Sequence, residues 1–426
     1  MPALKPENGV AGLIERCRIV VCVGTGGVGK TTVAAAIGAE AARRGLRALV
    51  LTIDPARRLA DALGVQAVGN QAVELGEEER GRLEIRGEGR LFALMLDMKG
   101  TFDDLVARFA QDAKTRARIL ANPIYQHVSD ALAGSTEYAA MEKVYEMSER
   151  DDFDLIVVDT PPSQHALDFL DAPQRLLDFL DSRIVQVLLH PAFAAGRFGV
   201  RIFHRTARRV LLLMERVSGV GFLEDISEFL LSFDQMSEGF RTRARRVRGL
   251  LLGPDAGFVL VAGPSAEVAQ NTVDFLDHLE ESQVPVAGLV INRMRLWPAG
   301  EAADGVAREP PRLLLDGRDL EREVAMLADA LTAGLGSRKR ARAAAEAAVE
   351  VAKGYAALAR LDLDSTAQLR RRAEPEGRFL CWVPEFPADV HDLAGLVRMG
   401  RFLSGPNPTA PRGQIDVDSR GRPQAD

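Results

Sequence analysis

The stretch RIVVCVGTGGVGKTTVAAAIGAEAARRG, residues 18–45, places a glycine-rich loop between a β-branched apolar run and an alanine-rich segment. The apolar run is typical of a buried parallel strand, and the alanine-rich segment predicts a helix that is closed by Gly45. The loop between them fits G-x-x-x-x-G-K-[ST], in which glycines let backbone amides approach phosphate oxygens at the positive end of a helix. The stretch therefore predicts a strand, a phosphate-binding loop and a helix in the order that a P-loop domain requires.

Further apolar runs continue this pattern along the chain. Each is bounded by glycine, proline or aspartate, and helical patterns separate the runs. Strands that alternate with helices predict an α/β fold with a doubly wound, mostly parallel sheet, whose ligand loops lie at the carboxyl ends of the strands. The predicted strands span residues 18–23, 48–53, 91–96, 154–159, 257–263, 286–291 and 378–383.

One P-loop domain is predicted over residues 18–404, after an N-terminal segment at 1–17 and before a polar, disordered tail at 405–426. The charged loop at 76–89 is also predicted to be disordered in part. Helical insertions are predicted at about 98–150, 165–250 and 295–375, the last of which begins as a loop. Helical spacing of apolar residues in the second insertion supports this prediction. These residues are Ile226, Phe229, Leu230, Phe233, Met236 and Phe240.

Composition and net charge argue against several classes of protein. The net charge of -6 argues against a nucleic-acid partner, because such proteins normally carry a basic face. Cys17, Cys22 and Cys381 are widely spaced and form no CxxC pair, so buried structural thiols in a reducing compartment are expected. The sequence shows neither a signal-peptide layout nor an apolar run of about 18 residues. We therefore expect a cytoplasmic protein.

Two aspartates follow predicted strands at the edge of the sheet where the loop lies. Asp159 closes DLIVVD and fits a residue that holds Mg²⁺, either directly or through water. Asp54 follows ALVLTI and fits a residue that orients or deprotonates an attacking water. Either aspartate alone could instead cap a helix or a turn. Together with Lys30 for the β- and γ-phosphates and the Thr31 hydroxyl for Mg²⁺, they predict a nucleotide hydrolase.

Three motifs together resemble the ArsA and guided-entry (tail-anchored protein targeting) family of P-loop ATPases, which are anion-transporting ATPase-like. The motifs are GTGGVGKTT at 24–32, TIDPARRLADALG at 52–64 and VVDTPPSQHALDFL at 157–170. They correspond to the P-loop, switch I and switch II of that family, which belongs to the larger group containing MinD and the nitrogenase iron protein. The resemblance implies a deviant Walker A ATPase that uses ATP and Mg²⁺, closes as a dimer on binding ATP and reopens on hydrolysis.

The resemblance also assigns roles to residues. Asn292 in VINRM would bind adenine, and Pro384 would lie in the loop that closes over the base. His165 lies in switch II and would report the nucleotide state, although a capping or solvent-facing histidine is an equal alternative. Thr31, Asp54 and Asp159 would serve the metal. The nucleotide-binding set in the loop would be Gly24, Thr25, Gly26, Gly27, Val28, Gly29, Lys30, Thr31 and Thr32.

Thr25 departs from the family pattern. In the resembled family a lysine at this position crosses the dimer interface to the partner's phosphates and acts like an arginine finger. Threonine carries no charge, so hydrolysis is slow, or another cation substitutes, or a partner chain that retains the lysine completes the site. Arg57 and Arg58 follow the aspartate of switch I and are candidate catalytic substitutes; alternatively they face solvent at a helix start. A homodimer and a heterodimer with a lysine-bearing paralogue both remain open.

The sequence leaves three alternatives for what the ATPase drives. The first is an anion or metalloid transporter, for which the cysteines do not form a convincing thiolate cluster. The second is a hydrophobic client, such as a tail-anchored membrane protein, bound between apolar stripes at 211–214 and 226–240, although these stripes could simply pack the helical insertion together. The third is a ParA/MinD-like positioning role, which ranks last because the basic run at 337–342 predicts only a solvated helix start. A membrane association would come through a partner.

Overall fold

A computed structural model describes residues 9–53, 58–64, 70–110, 112–123, 125–126, 135–161, 239, 242–297, 310–317, 319–373, 377–390 and 392–405. Within these ranges the strands form one eight-stranded sheet. The strands are β1 (Ile19–Val23), β2 (Arg47–Thr52), β3 (Val73–Glu74), β4 (Arg90–Met95), β5 (Leu155–Asp159), β6 (Ala256–Ala262), β7 (Val286–Met294) and β8 (Phe379–Pro384).

Helices cover both faces of this sheet. None of those in the described ranges combines the length and apolarity needed to cross a membrane. The helices are α1 (Gly9–Arg16), α2 (Lys30–Arg43), α3 (Arg58–Leu63), α4 (Glu77–Arg82), α5 (Met98–Phe109), α6 (Ala113–Ala121), α7 (Ser135–Glu149), α8 (242–251), α9 (Ala266–Glu281), α10 (Arg312–Asp316), α11 (Leu320–Leu335), α12 (Arg338–Ser365), α13 (Ala367–Ala373) and α14 (Leu393–Ser404).

The strand order is β3-β4-β2-β5-β1-β6-β7-β8, and every neighbouring pair is parallel except β3 with β4. Strand β1 lies between β5 and β6, so the loop that follows it opens at the middle of the carboxyl edge. The register pairs Asp159 with both Cys22 and Thr52. Three strand ends therefore meet next to the glycine-rich loop, which is where an open α/β sheet binds its ligand.

The core divides into one apolar layer on each face of the sheet, as strand alternation dictates. On β1, Val20 and Cys22 face the layer formed with α1, α2 and α14, whereas Val21 and Val23 face the layer formed with α7, α8 and α9. All five residues of β1 are buried. The prediction of a doubly wound, mostly parallel sheet is confirmed.

All seven predicted strands are present, with ends that shift by at most three residues. The short antiparallel strand β3 was not predicted from the sequence. The prediction of disorder in the loop at 76–89 is wrong, because α4 forms there and Leu83 and Ile85 insert into the core. The Arg80 guanidinium also donates hydrogen bonds to the carbonyls of Gly87 and Gly89. Two apolar residues thus order a segment whose composition is mainly charged.

The predicted insertions are helical where the structure describes them. Helices α5, α6 and α7 occupy the first insertion, and α10 to α13 occupy the last one. Of the second insertion, only Gly239 and the residues from 242 onward are described, and they include α8. The apolar stripes at 211–214 and 226–240 otherwise lie outside the described residues, as does the tail beyond Gly405.

Close packing of α2 on the sheet predicts a stability difference between two helical glycines. A Cβ at Gly38 would lie 2.3 Å from Val50 Cγ2, whereas a Cβ at Gly81 in α4 would meet no atom within 4 Å among the residues that the structure describes. We expect Gly38→Ala to lower the free energy of unfolding by about 1–3 kcal/mol through overpacking. Gly81→Ala should instead raise it by up to about 1 kcal/mol. Urea denaturation measures both, and a loss of the same size in the two variants would contradict this packing.

Candidate functional site

The glycine-rich loop uses a backbone that other residues adopt with difficulty. Gly24, Gly27 and Gly29 have φ angles of 152°, 78° and 91°, all in the positive region that favours glycine. A Cβ at Gly24 would lie 2.2 Å from the carbonyl oxygen of Val261 on β6, and one at Gly29 would lie 2.4 Å from Asn292 Nδ2. The loop is therefore pressed against β6 and β7, and its glycines are needed for that close approach.

Lys30 is the first residue of α2, and its side chain folds back across the loop. Lys30 is only 6% exposed, and its Nζ donates hydrogen bonds to the carbonyls of Gly24 at 3.0 Å and Thr25 at 2.9 Å. The ammonium group thus lies at the mouth of the loop, beside the backbone amides at the start of α2. Cation, amides and helix N-terminus together form an environment suited to phosphate oxygens.

Asp159 lies at the end of β5 with no exposed surface. Thr52 Oγ1 donates a 2.8 Å hydrogen bond to Asp159 Oδ2, which fixes the carboxylate against the end of β2. The next residue, Thr160, donates through its hydroxyl to the carbonyl of Cys22 at 2.8 Å. Burial raises the pKa of the Cys22 thiol, the charge of Asp159 raises it further, and that of Lys30 lowers it. The carboxylate and the ammonium therefore act on the same end of β1.

The oxygen donors around the loop fit Mg²⁺. Thr31, the second residue of α2, carries a hydroxyl, and Asp159 carries a carboxylate, both of them hard oxygen ligands. Within the described ranges, no cluster of three or more His, Cys, Asp or Glu side chains could hold a metal ion. Mg²⁺ usually takes only one or two protein ligands and completes its shell with water and substrate phosphates. This donor set suits a cation that arrives with a nucleotide.

Asn292 on β7 contacts the glycine-rich loop directly. Its Nδ2 donates a 2.9 Å hydrogen bond to the carbonyl of Val28, and its Oδ1 accepts one from the backbone amide of Arg293 at 3.0 Å. Pro384 ends β8 opposite Met294, where the Glu385 amide donates to the Met294 carbonyl. Both residues therefore lie at the carboxyl edge of the sheet. Their roles toward an adenine base remain predictions.

The structure places only some of the other predicted site residues. Asp54, Arg57 and His165 lie outside the described residues. Arg58 is exposed at the first position of α3, and its catalytic role stays a prediction. Thr25 accepts from Lys30 through its carbonyl, and its buried Oγ1 finds no hydrogen-bond partner within the described part of the chain. Thr52 was not predicted as a site residue, because Asp159, to which its hydroxyl donates, lies 107 positions away in the sequence.

The three cysteines are buried, as predicted, and do not converge. Cys22 lies on β1 and Cys381 on β8, with β6 and β7 between them, a separation of about 14 Å from ordinary strand spacing. Cys17 lies at the opposite, amino end of β1. Burial raises the pKa of the Cys381 thiol to about 12 and also raises that of Cys17. These thiols are protonated near neutral pH and do not form a soft-metal cluster with one another.

Comparisons with known proteins agree with this arrangement. The family model described as anion-transporting ATPase matches residues 17–305. A Halobacterium salinarum protein named "Putative arsenical pump-driving ATPase" is 30% identical over 170 residues, which cover 39% of this chain and 26% of that one. ATPase GET3 of Malassezia globosa is 28% identical over 157 residues, 37% of this chain and 43% of that one. An uncharacterized protein of Streptomyces coelicolor is 33% identical over 181 residues, 42% of each chain. The matched segments thus span less than half of each of these relatives.

Proposed function

Because the chain belongs to the anion-transporting ATPase family, we propose that it binds ATP with Mg²⁺ at residues 24–32 and hydrolyses it slowly. The observation that carries this proposal is the position of Lys30, whose Nζ spans the carbonyls of Gly24 and Thr25 at the start of α2. An entering triphosphate would replace these carbonyls as the acceptor of the ammonium group. Backbone amides of the loop and the helix N-terminus would neutralise the remaining charge.

Each side chain has a distinct part in this proposal. Lys30 binds the β- and γ-phosphates, and Thr31 and Asp159 hold Mg²⁺, directly or through water. The cation would neutralise charge on the transferring phosphoryl group. Thr52 positions the Asp159 carboxylate through the bond described above. Asp54 orients the attacking water, and Arg57 or Arg58 could supply additional positive charge.

Binding and hydrolysis would drive closure and reopening of a dimer through the nucleotide faces. We propose that this cycle serves an anion or metalloid transporter or a hydrophobic client protein. The names of the relatives support both kinds of partner, since one relative is named for an arsenical pump and another is a GET3 ATPase. The buried cysteines argue against metalloid binding by these thiols. The start of α12 at Arg338 agrees with a solvated helix start for the basic run, so a positioning role ranks last.

Slow turnover is a testable consequence of Thr25. We expect the purified full-length chain to bind ATP in a magnesium-dependent way and to hydrolyse it well below the roughly 10 s⁻¹ of a median enzyme. Thr25→Lys restores the missing cation and should raise kcat at least about tenfold, given that arginine-finger cations supply about 10³–10⁵ in other phosphoryl-transfer enzymes. Steady-state phosphate release measures this.

Thr25→Val is the matched control, because it keeps the side-chain shape and removes only a hydroxyl that makes no described hydrogen bond. Its kcat should equal that of the unmodified chain. Equal rates in the lysine and valine variants would show that the missing cation does not limit turnover. Failure of the unmodified chain to bind Mg²⁺-ATP would overturn the proposed function itself.

A further inference from the structure

Helix α12 is the longest helix in the described part of the chain, at 28 residues, or about 42 Å. It forms a hairpin with α11 through Gly336 and Ser337. One face of α12 is buried: Ala341 has no exposed surface, Ala345 packs against α11, and Leu363 packs against the sheet domain. This face accounts for the packing of the helix within its own chain.

A second apolar row runs along the opposite face of α12, and we call it the α12 seam. Its spacing of three and four residues in alternation is the a/d pattern of a coiled coil. Val351, Leu358 and Leu361 are 73%, 43% and 57% exposed, so the described part of the chain leaves these three residues uncovered. The seam consists of Ala344, Ala347, Val351, Gly354, Leu358 and Leu361.

The seam is complementary to itself when two copies run antiparallel. Placing the two-fold axis midway between Val351 and Gly354 sets each large residue opposite a small one of the other copy. Leu361 then faces Ala344, Leu358 faces Ala347, and Val351 faces Gly354. A Cβ at Gly354 would meet no atom of the described residues within 4 Å, although glycine inside a helix costs about 1 kcal/mol relative to alanine. Close approach of a second helix would explain why glycine occupies this position.

Charge favours the same orientation. The first turn of α12 carries Arg338, Lys339 and Arg340, and no carboxylate within the described residues forms an ion pair with any of them. The last turn carries the exposed Asp364, which pairs with Arg360 of its own helix. Antiparallel pairing brings each basic turn to the negative end of the other helix and sets Arg340 near the partner's Asp364. Parallel pairing would bring the two basic turns together.

We propose that the α12 seam pairs two copies of this chain as a two-fold antiparallel helix pair that forms without nucleotide. We expect a single pair of helices of this length to bury less than the roughly 1,200 Å² of a stable interface, and we therefore expect a monomer–dimer equilibrium near micromolar concentration. Asp362 of α12 accepts hydrogen bonds from the backbone amide and guanidinium of Arg295, which follows the strand that carries Asn292. Through Asp362, the paired α12 helices are thus connected to the nucleotide-binding edge of the sheet. The α12 seam is a different surface from the nucleotide faces, through which the dimer would close.

Sedimentation equilibrium of the full-length chain without nucleotide tests this interface. The unmodified chain should show concentration-dependent dimerisation, and Val351→Glu should raise the dimer dissociation constant at least tenfold. Met326→Glu is the matched control, because Met326 is a large apolar residue on α11, outside the seam, and is 58% exposed. It should dimerise like the unmodified chain. An unmodified chain that stays monomeric, or a Val351→Glu variant that dimerises normally, would overturn the proposal, and a nucleotide-dependent dimer alone would leave the proposed ATPase intact.

Disulfide crosslinking tests the orientation. The native cysteines are buried, so Ala344→Cys and Leu361→Cys each introduce one accessible thiol. An equimolar mixture of the two variants should form a crosslinked dimer under mild oxidation, whereas each variant alone should form little, because identical positions would lie about 25 Å apart along the helix axes. Crosslinking of Ala344→Cys with itself would indicate a parallel pair. That result, or no crosslink in the mixture, contradicts the antiparallel seam.

Discussion

Lys30→Ala is expected to weaken the affinity for Mg²⁺-ATP by about 10²-fold, because charge-assisted hydrogen bonds contribute about 1.5–3 kcal/mol each and Lys30 serves more than one phosphate oxygen. Hydrolysis should fall by a further factor of about 10²–10³, since preorganised charge is among the largest contributions to phosphoryl transfer. Isothermal titration measures the first effect and phosphate release the second. We expect effects of this size because the Lys30 ammonium is already held at the mouth of the loop by the Gly24 and Thr25 carbonyls.

The control for this experiment is Lys143→Ala on α7. Lys143 is a similarly buried lysine, 2% exposed, but its ammonium pairs with Glu146 and has no place in the proposed site. Its removal should lower stability and leave ATP affinity unchanged. If Lys143→Ala weakened ATP binding as much as Lys30→Ala, the loss would reflect general destabilisation, and the assignment of Lys30 to the phosphates would be wrong.

Asp159→Asn is expected to remove most of the magnesium dependence of ATP binding and to lower kcat by about 10²-fold or more, on the scale of a lost preorganised electrostatic group. Asparagine has nearly the same shape, and its Oδ1 can still accept the hydrogen bond from Thr52. The substitution removes a charge that is wholly buried, so thermal stability without nucleotide should be unchanged or higher. Titration of ATP with and without Mg²⁺ measures the effect.

In Asp159→Asn, kcat should therefore fall while thermal stability does not. This combination distinguishes a role of Asp159 in the site from a structural role. Thr52→Val serves as the comparison, because it deletes the hydrogen bond to Asp159 and retains the carboxylate. We expect a smaller loss of kcat, with magnesium dependence retained. An Asp159→Asn variant that keeps both its turnover and its response to Mg²⁺ would exclude Asp159 from the metal site.

Local patterns account for most of the fold that could be predicted. The β-branched runs predicted seven strands because a buried parallel strand needs apolar residues on both faces, and that need shows in the sequence. The loop at 76–89 was predicted wrongly because charge dominates its composition, whereas Leu83 and Ile85 decide its structure. Strand β3 has only two residues, too few for any periodicity.

The glycine-rich loop and its flanking strand and helix were determined by the sequence alone, because positive φ angles and a helix N-terminus are properties of neighbouring residues. Contacts across the site were decided by the tertiary structure. Thr52 reaches Asp159 only because β2 lies beside β5, and Asn292 reaches Val28 across 264 positions only because β7 ends near the loop. The tertiary structure is also decisive for α12, because its two apolar rows both have helical spacing and the sequence does not distinguish between them. Only the packing of α11 and the sheet decides which row is buried and which remains exposed.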